Sequence, residues 1–137
     1  MYKKILVPVD LAHLERLEKA LQSAADLARH YGAGLCYVGV TANTPGPVAH
    51  NPQEFAAKLE AFARSQGEAH GCPVSTRAYG SHDPAVDLAD KILEAVEAEG
   101  ADLVVMASHV PGLPDHLFAS NAGKLATHAA ISVFVIR

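Results

Sequence analysis

The chain has 137 residues, 50% of them hydrophobic and none of them tryptophan, which predicts one domain with an aliphatic core. Its formal net charge of −4 argues against a nucleic-acid surface, which needs cations to neutralise phosphates. Cys36 and Cys72 have neither CxxC nor metal-ligand spacing, so two reduced thiols in a cytoplasmic protein are expected. No stretch approaches the roughly 20 apolar residues of a membrane span.

Residues 5–9 (Ile-Leu-Val-Pro-Val) are a continuous apolar run, the signature of a strand covered on both faces. Pro8 cannot donate to a ladder and is expected where that strand leaves the sheet. Asp10 follows, and the run is too short for a secretory signal. Leu14, Leu17, Leu21, Ala24, Ala28 and Tyr31 recur at helical spacing, which predicts an amphipathic helix beginning near Leu14 with Asp10 as its cap. Gly32 and Gly34 are expected to stop it.

Residues 35–40 read as the second strand. Residues 41–52 hold three prolines, a glycine and two asparagines, the composition of a loop. Asn51-Pro52-Gln53-Glu54 then predicts a capped helix start with a capping box. Phe55, Leu59 and Phe62 form its inner stripe, and Gly71 its end. Residues 74–79 form a third strand. Asp83-Pro84 opens a helix with Asp83 as cap, ending at Gly100. Residues 103–107 are a second doubly buried run. Residues 108–119 are a loop, a short helix spans about 121–128, and residues 131–136 end the pattern as strand five.

Strands alternating with helices imply an open five-stranded parallel sheet with helices on both faces, joined by right-handed crossovers. In such a sheet ligands sit beyond the carboxyl ends of the strands. Asp10 stands there after strand one, Val40 after strand two, and Ser108 and His109 after strand four. The helix start at Ser120 and Asn121 supplies free backbone N–H groups suited to an anion. Each of these also has a structural reading: Asp10, Ser120 and Asn121 are all ordinary caps. Of the eight histidines, only His109 falls at a strand end. GxSxG, P-loop and HExxH motifs are absent from the sequence. No metal site and no catalytic activity beyond slow ATP hydrolysis is expected.

Lys3-Lys4-Ile5-Leu6-Val7-Pro8-Val9-Asp10 resembles the opening of universal stress proteins. Gly100-Ala101-Asp102-Leu103-Val104-Val105-Met106-Ala107-Ser108-His109 resembles that family's "GADLIVMGSH" segment. Ser120-Asn121-Ala122 through His128-Ala129 to the carboxyl terminus resembles its "GSNA…RHA…SVLVVR". The resemblance implies a Rossmann-like fold of the adenine nucleotide alpha hydrolase-like type. It also implies ATP (with magnesium) or AMP as ligand: Asp10 and Val40 near adenine, and Ser108, His109, Ser120 and Asn121 near ribose and phosphate. Pro8, Val9 and Met106 complete the implied set.

The nucleotide-binding pattern Gly-x2-Gly-x9-Gly-Ser/Thr is not kept. Its glycines fall on Ala107, Val110 and Ser120, and Ser108-His109-Val110-Pro111 resembles a branch with Ser-His-x-Pro in their place. Val110 adds a branched side chain where glycine allows close approach, and Pro111 removes a donor. No lysine or arginine lies between Ala107 and Gly123. Two functions therefore stay open: a stress-response module that binds an adenine nucleotide, and a nucleotide-free dimeric interaction protein. In both, the apolar end formed by Val133, Phe134, Val135 and Ile136, with Arg137 last, is the expected homodimer seam.

Overall fold

A computed structural model describes residues 1–108 and 119–137; for Ala119 and Ser120 the description is limited to the backbone. The strands are β1 (Lys4–Pro8), β2 (Gly34–Ala42), β3 (Val74–Ser81), β4 (Leu103–Ala107) and β5 (Ser132–Ile136). The helices are α1 (Glu18–Tyr31), α2 (Pro52–His70), α3 (Pro84–Glu99) and α4 (Ala119–His128). All pairings are parallel, and the strand order is β3-β2-β1-β4-β5. The direction of winding reverses after β3, so right-handed crossovers put α1 and α2 on one face and α3 and α4 on the other.

The two continuous apolar runs become β1, at the centre of the sheet, and β4 beside it. Ile5, Leu6 and Val7 of β1 and Val104, Val105 and Met106 of β4 are almost wholly buried, as a sheet covered on both faces requires. Pro8 is the last residue of β1. The ladder resumes beyond it, with the Val9 N–H donating to the Val38 carbonyl at 2.8 Å. The positive φ angles of Gly32, Gly71 and Gly100 end the three long helices, where a side chain would be strained. Gly34, expected to help stop α1, instead opens β2.

Three local expectations change. The helix expected from Leu14 is split: a 3-10 turn, Leu11–Arg16, precedes α1, and His13 is non-helical at φ −138° and ψ 41°. Asp10 does cap, but it caps this turn, through the Ala12 N–H at 3.0 Å. Leu14 and Leu17 keep their inward stripe across the break, which is why periodicity alone does not reveal it. At α2 the cap forms as expected, with Asn51 Oδ1 accepting from the Glu54 N–H at 2.8 Å. The return bond slips by one residue, because Glu54 accepts from His50 N at 3.3 Å. At α3, Pro84 takes the first position but the Asp83 side chain makes no capping bond. The Ser81 hydroxyl instead holds the cap residue itself, accepting from the Asp83 N–H at 3.0 Å and donating to Asp87.

Candidate functional site

The strand order places the reversal between β1 and β4, and the loops beyond the carboxyl ends of the strands surround it. A cleft of about 250 Å³ opens beside this point, over the ends of β1 and β2. Val9, Asp10 and Leu11 form one side, and Val40, Thr41 and Ala42 the floor. Phe55 of α2 and Pro84 and Leu88 of α3 close the back. The outer wall is the β2–α2 connection, from Thr44 to Ala49. Asp10 is the one charged group among the described lining residues.

Both carboxylate oxygens of Asp10 are partly engaged. Oδ1 accepts from the Ala12 N–H, and Oδ2 lies 2.9 Å from His13 Nδ1. A carboxylate has about four lone-pair sites, so each oxygen keeps acceptor capacity toward the cleft. The geometry therefore fixes the carboxylate without exhausting it. Its side chain is 19% exposed.

Of the residues singled out by sequence, the structure brings Val9, Asp10 and Val40 together in the cleft. Pro8 is buried in β1, and Met106 is fully enclosed in β4; neither side chain lines the cleft. Ser108 turns toward β5, its N–H and its hydroxyl donating to the Ile136 carbonyl at 2.8 and 3.3 Å. Asn121 is 4% exposed. Its amide grips the first turns of α3, with Nδ2 donating to Ala85 O at 2.8 Å and Oδ1 accepting from Ala89 N at 3.2 Å. Ser120 lies in the first turn of α4, which begins at Ala119 rather than near Asn121, so Ser120 and Asn121 are both inside the helix and not the caps expected from sequence. His109, and with it Val110 and Pro111, lies outside the described residues, as does most of the loop expected over residues 108–119.

Sequence patterning does not single out the outer wall. Its composition reads as a loop, and nothing local says that β2 lies beside β1. The strand order, once known, makes the connection after β2 overhang Asp10. The wall is fastened at several points. Asn43 N donates to Ser81 O at 3.3 Å, and Gly46 N donates to Ala49 O at 3.0 Å. Lys58 Nζ donates to the Val48 carbonyl. Gly80 leaves the room that the Asn43 amide occupies.

An open parallel sheet with helices on both faces and a partly apolar cleft at the carboxyl ends of its strands defines the class of doubly wound α/β proteins. Over residues 1–137 the sequence matches the Universal stress protein family, and the chain belongs to that family. It is 32% identical to Universal stress protein G of Shigella flexneri and of Salmonella typhi, in each case over 100% of both chains. Among solved structures it resembles a universal stress protein in complex with cAMP, with a TM-score of 0.70 and 16% identity over 99% of this chain and 97% of the other. It also resembles the Archaeoglobus fulgidus universal stress protein in complex with dAMP, with a TM-score of 0.68 and 22% identity over 99% and 98% of the two chains. At those identities the likeness is one of fold.

Proposed function

We propose that this chain is a stress-response module that binds an adenine nucleoside monophosphate in the cleft beyond β1 and β2. The observation that carries the reading is the cleft itself, where Val9, Val40 and Leu88 offer apolar walls to a flat base and Asp10 offers acceptors. Adenine presents an exocyclic amino group and ribose presents hydroxyls, and a fixed carboxylate suits either donor. Two structures of the same fold are complexes with adenine monophosphates, cAMP and dAMP.

The phosphate falls to the start of α4, with Ser108, His109, Ser120 and Asn121 as the proposed surroundings. The Asn121 side chain is committed to α3, so its part there is through the backbone. Charge favours one phosphate over three. No lysine or arginine lies between Ala107 and Gly123, and none is among the described residues lining the cleft. A triphosphate needs more compensation than a helix N-terminus supplies, so AMP is preferred to ATP–Mg²⁺.

The second reading, a dimeric interaction protein without nucleotide, draws on β5. That strand is at the sheet edge, and its Phe134 and Val135 are 46% and 36% exposed. Homodimerisation there is compatible with either reading. Two free buried cysteines suit the reducing cytoplasm.

Thermal unfolding with AMP, ATP–Mg²⁺ and GTP separates the two. A ligand at 100 times its dissociation constant adds about 2.7 kcal/mol of stability, a rise of several degrees for a domain of this size. The expected order is AMP above ATP–Mg²⁺, with GTP inert. No rise with either adenine nucleotide would discard the nucleotide reading in favour of the interaction protein.

A further inference from the structure

The outer wall of the cleft has open space on both sides. Pro47 and Val48 face the candidate site on one side. On the other side they face a second cavity of about 460 Å³, backed by Leu14 and Phe62. Residues 43–47 are exposed, whereas Val48 packs against the core and Ala49 is buried in it, so the strap is fixed by packing at its far end and otherwise by hydrogen bonds. Two of these come from one face of α2. Lys58 Nζ donates to the Val48 carbonyl and pairs with Glu54 Oε1 at 3.3 Å. Glu54 Oε2 in turn lies 3.3 Å from His50 N and 3.2 Å from His50 Nδ1. One ion pair, a helical turn apart on α2, thus holds the strap at Val48 and the residue that follows it, His50. The His50 N–H first, and Lys58 after it, hold the Glu54 carboxyl below its ordinary range.

We propose that Lys58 is a positioning residue that latches the 44–49 strap and so sets the cleft wall against the bound base. It touches no ligand in this scheme. Its ammonium pairs with Glu54 and donates to the Val48 carbonyl. The inference rests on the nucleotide reading of the cleft.

The test uses the full chain, AMP as probe, and the variants Lys58→Met, Lys58→Arg and Lys91→Met. Lys91 pairs with Glu94 on α3 and controls for the loss of one positive charge. Lys58→Met is expected to weaken AMP binding about three- to tenfold. It is also expected to speed amide exchange at Gly46, whose N–H closes the strap on Ala49, by about threefold or more. Lys58→Arg keeps a cationic donor and restores both values; Lys91→Met changes neither. Unchanged AMP affinity in Lys58→Met overturns the inference, whatever the exchange rate. A wild-type chain that ignores AMP sinks the nucleotide reading instead, and exchange at Gly46 then decides the latch alone.

Discussion

Asn121 is the side chain whose structural role departs furthest from its sequence reading. Its motif suggests a phosphate neighbour, yet the amide reaches across to α3 and bonds a carbonyl and an N–H four residues apart, Ala85 O and Ala89 N. Those two groups are natural partners in an α-helix, so asparagine bridges the ladder without leaving either group unsatisfied. Two consequences follow for variants. Asn121→Ala empties a buried site and removes both of its bonds to α3, so the loss is about 1–2 kcal/mol. Asn121→Asp puts an acceptor against the Ala85 carbonyl and a charge in a buried position, and costs more than the alanine variant. Urea unfolding should therefore rank wild type above Asn121→Ala above Asn121→Asp. An aspartate variant as stable as the alanine variant would show that the amide nitrogen does not matter.

At the scale of elements, the spacing between β2 and α2 sets the depth of the cleft. Gly39 lets the Phe55 ring lie against the sheet: a Cβ there would stand 2.7 Å from Phe55 Cζ. Phe55 is 5% exposed and also lines the cleft, so the ring cannot retreat without filling it. Gly39→Ala should cost about 1–3 kcal/mol through overpacking and reduce the rise in unfolding temperature produced by AMP. A variant with wild-type stability and an undiminished AMP response would mean that Phe55 rotates freely, against this account. The elements themselves are legible in the sequence for simple reasons. β1 and β4 are unbroken apolar runs, α2 opens on Asn51-Pro52, and glycines stop α1, α2 and α3. What sequence cannot supply is adjacency. The break at His13 hides inside a leucine stripe that continues across it. The strap from Thr44 to Ala49 reads as a bare loop because its neighbour, Asp10, lies far away along the chain. Asp10 and Val40 are legible because a position at a strand end is enough to single them out; Val9 enters only through the family resemblance, as does Met106, which is sealed in the core.

At the scale of the whole molecule, the two sheet edges differ. β3 bears mostly polar or partly covered side chains, including Arg77, which reaches Glu99 at 2.9 Å. β5 bears Phe134 and Val135, neighbours in sequence and therefore on opposite faces of the sheet, both exposed. An unpaired edge strand with apolar groups on both faces is a template for another strand. In the proposed homodimer a two-fold axis would set β5 antiparallel to its copy, extending the sheet and covering both side chains in one step. Phe134→Glu leaves the ladder groups intact but places one carboxylate per protomer, close together, at a self-complementary seam. Sedimentation of the wild-type chain should give the dimer mass and that of Phe134→Glu the monomer mass at the same concentration. If the seam is real, only the wild type should also unfold at a concentration-dependent temperature. A Phe134→Glu chain that still sediments as a dimer would move the seam away from β5. A monomeric wild type would remove the dimeric interaction reading as stated and leave Phe134 and Val135 free for a different partner.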